Sequence, residues 1–335
     1  MLQTIDKLRT KLYEDLEAQI VATPLYEVKN TQILNGNRIF AKEEYENPTQ
    51  STFDRVYPYL FRLAEEAGLI IPGVTPVIEA STGNAGASFA WCARELGYNN
   101  ATVITHADTP EARVKQIKSY GAKVIFSPAG EYASGYVRKL EQVLEEDKKS
   151  KGRVGEDLTR MYCITKINQG TNAPGLRRLV DEVYLKIGRI DYFIQGVGSG
   201  TTISGIGRAL RQRDSSTKVI AIEPKYASVI RRFREGIISP IAERHELIGL
   251  GAAGLPPEKL DIDFSVIDDV ISVTDEDWRT GNDLLKQNEG KEVGRSSCAA
   301  FKVALDFAHK VRDKDILILF GDPAWKYTDN YSNLK

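Results

Sequence analysis

The segment from Gln195 to Ile203 combines small residues and hydroxyls in an order suited to binding an anion. It reads QGVGSGTTI, follows an apolar run that predicts a strand and opens a pattern that predicts a helix. Glycines let the backbone come close to a ligand, and the amides at a helix N-terminus attract negative charge. The hydroxyls of Ser199, Thr201 and Thr202 add donors for phosphate oxygens. We predict a phosphate-binding loop, while a tight strand-to-helix turn without a ligand stays open as the plainer explanation.

A second loop, STGNAG at 81–86, also lies between a predicted strand and a predicted helix. Its amides and hydroxyls suit a carboxylate at the start of a helix. Ser81, Thr82 or Asn84 could equally serve as an ordinary helix N-cap. The two interpretations are compatible, so capping does not decide against a ligand.

Gly196 and Gly198 also begin the Gly-x-Gly-x-x-Gly pattern of dinucleotide-binding loops, and Glu223 ends a later predicted strand, where an acid can bind a ribose. The third glycine of that pattern is replaced by Thr201. A nucleotide site is therefore the weaker alternative for this loop.

Several segments occur in one characteristic order along the chain: TPL at 23–25, ENPTQSTFDR at 46–55, STGNAG at 81–86, GSGTT at 198–202 and GRSSCA at 294–299. In this order they resemble the cysteine synthase and cystathionine β-synthase family of fold type II pyridoxal-phosphate enzymes. The resemblance covers nearly the whole chain. It implies a two-lobed α/β fold of the tryptophan synthase β type, with parallel sheets in three-layer sandwiches.

One position departs from the family in a way that matters for chemistry. The segment 46–55 resembles the family's Asn-Pro-Ser/Thr-Gly-Ser-x-Lys-Asp-Arg, whose lysine holds the cofactor aldehyde as a Schiff base and carries the substrate's α-proton. The matching residue here is Phe53. A phenyl ring forms no imine and has no proton to give. The resemblance thus implies a pyridoxal 5'-phosphate site that binds its cofactor non-covalently.

The resemblance also assigns roles to the other matching positions. For the cofactor, the resemblance implies that the phosphate is bound by Gly198, Ser199, Gly200, Thr201 and Thr202. The 3-hydroxyl of the cofactor would be bound by Asn84, and its pyridine nitrogen by Ser296. The substrate carboxylate is assigned to Ser81, Thr82, Gly83, Ala85 and Lys166. A neutral hydroxyl at Ser296 suits β-elimination better than transamination. Cys298, where the family has glycine, is interpreted as a packing residue, with a thiol near the cofactor as the alternative.

Lys166 begins KINQGTN, which loosely resembles the family's Gln-Phe-x-Asn-Pro-x-Asn. It replaces a glutamine that helps to hold the substrate carboxylate, and a cation there binds an anion more strongly than an amide does. Lys166 or Lys42 taking over the Schiff base is a further possibility. An anion-binding or surface role is favoured for both lysines.

Apolar runs alternate with helical patterns, which indicates parallel sheets covered on both faces. Predicted strands include Thr75–Ala80, Ala101–His106, Val219–Glu223 and Ile316–Phe320. By resemblance the small lobe is 42–158, the large lobe is 1–41 plus 159–335, and the ligand lies in the cleft between them. The polar stretch DKKSKGRVGED at 147–157 is the candidate crossing.

Composition limits the partners and the compartment. The 45 basic and 46 acidic residues are balanced, which argues against nucleic acid or an anionic membrane as the main partner. No run of apolar residues is long enough to span a bilayer. Cys92, Cys163 and Cys298 are odd in number and widely spaced, which favours reduced thiols in the cytoplasm and no metal site. A homodimer is expected by resemblance only.

Three functions remain open from the sequence. The first is an enzyme of amino-acid β-replacement or β-elimination that works by an atypical, lysine-independent route. The second is an inactive homologue that binds a ligand or regulates a partner. The third, a nucleotide-dependent enzyme, is the weakest.

Overall fold

The computed structural model describes residues 2–81, 83–151, 158–167, 169–236, 245–252 and 255–328. Its strands are β1 (Leu25–Glu27), β2 (Arg38–Glu43), β3 (Val77–Ala80), β4 (Ala101–His106), β5 (Lys123–Ser127), β6 (Tyr162–Cys163), β7 (Tyr192–Gly196), β8 (Lys218–Pro224), β9 (Asp269–Val273) and β10 (Asp315–Phe320). Its α-helices are α1 (Leu2–Ala18), α2 (Tyr57–Glu66), α3 (Asn84–Glu95), α4 (Glu111–Ser119), α5 (Tyr132–Lys151), α6 (Pro174–Ile187), α7 (Thr201–Arg213), α8 (Ile230–Glu235), α9 (Asp275–Leu284) and α10 (Arg295–Ala308).

The chain divides into two compact units. One unit contains residues 1–21, 47–166 and 327–335, and the other contains 22–46 and 167–326. The lobe boundaries expected from the sequence, with the small lobe at 42–158, stay a prediction.

The first unit is built on a four-stranded parallel sheet in the order β5-β4-β3-β6. Strands β3 and β4 are buried along their whole length, as expected for apolar runs covered by helices on both faces. Strand β3 is parallel to both of its neighbours. Its carboxyl end leads directly into the loop at 81–86. The predicted carboxylate loop therefore lies at the edge of the sheet where ligands commonly bind in α/β folds.

The second unit is built on a six-stranded sheet in the order β1-β2-β10-β7-β8-β9. Only β1 is antiparallel to its neighbour. The central strand β10, DILILF, is fully buried, as its apolar run from Ile316 to Phe320 predicts. Strand β7 ends at Gly196 and opens the glycine-rich loop that precedes α7.

The α/β class predicted from the sequence is confirmed, and the predicted strands agree with the structure to within two residues. Ala101–His106 is identical to β4, whereas Thr75–Ala80 is shortened to Val77–Ala80. The candidate crossing at 147–157 stays a prediction, although its first five residues are helical because α5 continues through Lys151. Residues 152–157 of that stretch lie outside the described residues. No helix in the described part of the chain is long and apolar enough to cross a membrane.

Candidate functional site

The backbone around residue 53 is fixed by a neighbouring carboxylate. Asp54 is fully buried and accepts hydrogen bonds from the Thr49 amide (2.7 Å), the Thr49 hydroxyl (2.6 Å) and the Ser88 hydroxyl (2.6 Å). The Ser51 hydroxyl accepts from the Phe53 amide (3.1 Å) and caps the short 3₁₀ helix Thr52–Arg55. The conformation at position 53 is thus held by contacts that do not involve the side chain of Phe53.

Gln50 also has an unusual backbone conformation in this segment. Its φ is 57°, in the left-handed region that glycine adopts without strain and other residues adopt rarely. By resemblance this is the position of the glycine in the family segment. The turn therefore keeps a glycine-type conformation although the glycine is gone, which costs about 1 kcal/mol or more.

The side chain of Phe53 lies beside a buried lysine. Phe53 is partly exposed although Thr52, Asp54 and Arg55 are buried. The Nζ atom of Lys166 lies 5.8 Å from the centroid of the Phe53 ring, and Lys166 is only 8% exposed. This is within the range of a cation–π contact. An amine is therefore present next to the position from which the expected lysine is missing.

Glu79 completes this group in the same unit. It lies on β3, is 2% exposed, and accepts from the Tyr57 hydroxyl (2.6 Å) and the Ala80 amide (2.7 Å). Burial raises the pKa of Glu79, although the charge of Lys166 and hydrogen bonds that include the Lys166 amide oppose that rise. Glu79 and Lys166 are thus a buried acid and a buried amine that interact electrostatically, and the amine lies near the ring of Phe53.

Lys42 has a different environment, in the other unit. It is fully buried, forms an ion pair with Glu182 (2.7 Å) and donates to the Thr23 carbonyl (2.5 Å) and the Thr23 hydroxyl. Three oxygens therefore engage this ammonium within the protein. Lys42 is therefore a buried structural lysine, and the surface role considered for it from the sequence is wrong.

In the loop after β3, the Ser81 hydroxyl shapes the backbone. It accepts from the Gly86 amide (3.0 Å) and the Gly83 amide (3.3 Å). Because a hydroxyl that accepts still carries its own proton, Ser81 can also donate to an anion. Ala85 is buried, Asn84 is half-buried at the first turn of α3, and Thr82 lies outside the described residues.

A buried arginine packs against this loop. A Cβ added at Gly83, whose φ is 140°, would lie 2.5 Å from Cδ of Arg113. Arg113 is 2% exposed, and its guanidinium lies 4.3 Å from the centre of the Tyr327 ring. Glycine at position 83 is thus required both by its backbone conformation and by the close approach of Arg113.

The glycine-rich loop after β7 has no room for side chains at its glycines. A Cβ at Gly198 would collide with the carbonyl of Gly249, and one at Gly200, whose φ is 97°, would collide with Ile262. The hydroxyls of Ser199 and Thr201 lie 3.3 Å apart at the start of the 13-residue helix α7, and Thr202 is half-buried beside them. Hydroxyls and the first amides of a helix converge here, the donor set that a phosphate needs.

Ser296 lies in the first turn of α10 and is half-buried. Its neighbour Ser297 is 2% exposed and accepts from the Gly321 amide (3.0 Å), so it joins α10 to the end of β10. Cys298 is buried, which agrees with a packing role, and its thiol donates to the Val293 carbonyl (3.5 Å). Ser296 is thus the more accessible of the two hydroxyls.

The structure argues against the dinucleotide interpretation. Glu223 is fully buried, and its carboxylate accepts from the amides of Val229 (2.7 Å), Ile230 (2.8 Å) and Arg231 (3.1 Å). It therefore caps the start of α8 instead of facing a ribose. The described residues also contain no group of acids, histidines or cysteines able to hold a metal ion.

Sequence reasoning missed Glu79 as a member of the site. The available signal was an acid inside an otherwise apolar strand, VIEA at 77–80. A buried carboxylate needs partners, and here the Tyr57 hydroxyl and Lys166 supply them.

Residues 16–322 match the family described as pyridoxal-phosphate dependent enzyme, and the chain belongs to that family. It is 30% identical over 313 residues to a probable cysteine synthase of Bacillus subtilis, across 92% of this chain and 95% of that protein. A hydrogen sulfide-producing enzyme from Fusobacterium nucleatum has a similar structure, with a TM-score of 0.80, 25% identity, and coverage of 93% of this chain and 98% of that one. So does a lysine-to-alanine mutant of O-ureido-L-serine synthase, solved with O-ureido-L-serine bound (TM-score 0.78, 25% identity, coverage of 96% and 94%). Pyridoxal phosphate is the cofactor of this family.

Taken one position at a time, the residues present have the chemistry that this cofactor needs in all but one respect. The loop at 198–202 offers the crowded glycines, hydroxyls and helix N-terminus of a phosphate cup. Asn84 and Ser296 are accessible amide and hydroxyl groups for the ring. Phe53 does not fit a covalent attachment, because its ring has no amine.

Proposed function

We propose that this protein binds pyridoxal phosphate without a covalent bond from residue 53 and catalyses β-replacement or β-elimination on a small serine- or cysteine-type amino acid. The observation that carries the proposal is the contrast within one segment. Asp54 and Gln50 preserve the backbone at position 53, while the side chain there has changed from an amine to a ring.

The phosphate is proposed to bind to Gly198, Ser199, Gly200, Thr201 and Thr202. A dianion placed at the start of α7 gains from the helix dipole as well as from the hydroxyls. With no covalent anchor at residue 53, these contacts have to supply most of the affinity. The tight packing of Gly200 against Ile262 supports this role, because it holds the loop rigid before a ligand arrives.

The amino-acid carboxylate is proposed to bind to Ser81, Gly83 and Ala85 at the start of α3. Ser81 already accepts two loop amides, so its hydroxyl proton is the part left to meet an anion. Asn84 is proposed to bind the cofactor's 3-oxygen, and Ser296 its ring nitrogen. When bound, pyridoxal phosphate supplies the electron sink that weakens bonds at the amino acid's α-carbon.

A relative supports amino-acid binding after loss of a lysine. The lysine-to-alanine mutant of O-ureido-L-serine synthase was solved with O-ureido-L-serine bound. In that protein the loss of a lysine side chain is compatible with a bound amino acid. A similar scaffold with phenylalanine at position 53 can by analogy keep its substrate site.

A second candidate is a ligand-binding homologue without turnover. Phe53 is the observation that favours it, because loss of the amine removes the group that usually carries the α-proton. We also propose, by resemblance, a homodimer. The three free cysteines support a reducing, cytoplasmic setting.

The test is a substrate panel with cofactor-saturated protein. O-acetylserine, O-phosphoserine, serine and cysteine are each incubated with and without sulfide, and products are followed by chromatography. Protein without added cofactor and the variant Gly200→Ala, which disturbs the phosphate loop, serve as controls. Cofactor-dependent product from one of these amino acids is expected. Bound cofactor with no product from any of them would favour the ligand-binding candidate.

A further inference from the structure

We propose that Lys166 supplies the amine that the family takes from residue 53, with Glu79 as its positioning acid. On this proposal the amine comes from the segment that follows β6 and not from residue 53. The inference rests on the proposed cofactor site, and it goes beyond that proposal by naming the reactive side chain.

Strand pairing explains how Lys166 reaches this place. Strand β6 pairs with β3 in the register Val77↔Tyr162 and Ile78↔Cys163, and the pairing continues through a bond from the Ile164 amide to the Ile78 carbonyl (3.0 Å). The chain leaving β6 therefore runs beside the carboxyl end of β3, where Glu79 lies. The Lys166 amide bonds to the Glu79 carboxylate, which fixes the backbone at the base of the lysine side chain.

The end of the side chain is directed towards Phe53. Its Nζ atom lies 5.8 Å from the Phe53 ring centroid, so the π face of the ring attracts the ammonium. Phe53 therefore has a use that an aliphatic residue would not have, since it holds an amine that comes from another element.

The two departures from the family pattern also compensate for each other. By resemblance, position 53 has exchanged lysine for phenylalanine and position 166 has exchanged glutamine for lysine. One amine is lost and one is gained, and the structure brings the two positions into contact. A decayed site would lose the first amine with no reason to gain the second beside it.

Lys42, the other buried lysine considered from the sequence, shows what a structural amine looks like in this chain. Its ammonium is engaged by Glu182 and by two oxygens of Thr23. Lys166 instead faces an aromatic ring and an acid whose pKa is raised by burial. Burial thus makes Glu79 hold its proton more readily than an exposed carboxyl group does.

The experiment traps the amine and does not depend on turnover. Retention of pyridoxal phosphate is first measured by dialysis, and the complex is then treated with borohydride and mapped by peptide mass spectrometry. The lysine nitrogen bonds to the aldehyde carbon, the aldehyde oxygen leaves as water, and hydride from borohydride reduces the carbon–nitrogen double bond to a stable secondary amine. We expect the label on Lys166 at least about tenfold above any exposed lysine, which corresponds to a difference of about 1.4 kcal/mol.

Three variants make the result specific. Lys166→Arg keeps a cation beside Glu79 and Phe53 but has no reactive amine, so it should fold, retain the cofactor and lose the label. Lys115→Gln removes an exposed lysine and should leave the labelling unchanged. Phe53→Lys combined with Lys166→Gln restores both family residues and should move the label to position 53.

The outcomes separate the two proposals. Cofactor that is retained but labels no lysine, or labels only exposed lysines, would overturn the role of Lys166 and leave the proposed function standing. Cofactor that is not retained by the wild-type protein would overturn the proposed function and this inference with it. If the Lys166→Arg variant still carries label at full level on another lysine, the role of Lys166 would also be overturned.

Discussion

The loop at 198–202 and the segment at 47–55 both resemble motifs of the family's pyridoxal-phosphate site, yet they differ in what they have kept. The loop keeps its glycines, its hydroxyls and its position at the start of α7. The segment keeps a specified backbone but has lost the side chain that does the chemistry. In this protein the scaffold of a site and its reactive group are therefore separable.

The physical reason lies in which atoms hold each region. In the loop, the glycines are held by Gly249 and Ile262, so almost any substitution disturbs the packing. In the segment, Asp54, Thr49 and Ser88 hold the backbone, and residue 53 is not part of that network. Residue 53 can change without loss of the turn, which is the condition for an amine to move elsewhere.

The largest effect on stability is expected from Gly200→Ala. The new methyl group would collide with Ile262 and would demand a φ of 97° from a non-glycine residue. We expect a loss of about 3 kcal/mol or more in the free energy of unfolding, together with weaker cofactor binding. The matched control is Gly188→Ala, which has a φ of 74° but open space around its Cβ and should cost only about 1 kcal/mol. Equal losses in urea unfolding would show that the loop is not held by packing.

Asp54→Ala should come next. The substitution removes three hydrogen bonds to a buried carboxylate, at an expected cost of about 3 kcal/mol. Phe53→Leu, at a partly exposed site, should cost only about 1 kcal/mol by the same measurement. A larger loss at Phe53 than at Asp54 would contradict the view that residue 53 is not structural.

Glu79→Gln tests, through pH, the acid that interacts with Lys166. Because burial raises the pKa of Glu79 above its ordinary value of 4.5, the folded protein binds this proton more tightly than the unfolded chain does. The resulting stabilisation is fully present below pH 4.5 and is lost as pH rises through the folded pKa. Glutamine carries no such dependence, so the variant should gain stability relative to the wild type as pH rises above 4.5.

Urea unfolding between pH 4.5 and pH 8 measures this difference in unfolding free energy between the variant and the wild type. The exposed Glu258→Gln is the charge control. The expected change is smaller than the loss at Asp54. If the variant instead loses stability relative to the wild type as pH rises, the interaction of Glu79 with Lys166 outweighs the effect of burial.

The smallest effect is expected from Gln50→Gly. Glycine removes the strain of a φ of 57° but loses more chain entropy on folding. The two terms leave a net stabilisation of about 0.5 kcal/mol. Thermal unfolding checks this, and a clear loss of stability would show that the Gln50 side chain contributes contacts that outweigh the strain.

The sequence predicted the fold well because its signals are local. Buried strands such as Ile316–Phe320 contain continuous apolar runs, and the two candidate ligand loops are marked by glycines and hydroxyls at strand ends. The group around Phe53 could not be predicted in the same way. Lys166 and Glu79 are 87 residues apart, and only the pairing of β6 with β3 brings them together. Glu79 gave a weak signal as an acid in an apolar strand, but its partners were not evident from the sequence.

The central claim is that the 198–202 loop still holds pyridoxal phosphate after the loss of the lysine at position 53. Titration calorimetry of the wild-type protein with pyridoxal phosphate, and in parallel with pyridoxal, which lacks the phosphate, tests this most directly. We expect reversible binding of pyridoxal phosphate that is about 100-fold tighter than that of pyridoxal, a difference of about 2.7 kcal/mol. No binding of pyridoxal phosphate, or equal affinity for the two compounds, would contradict the claim.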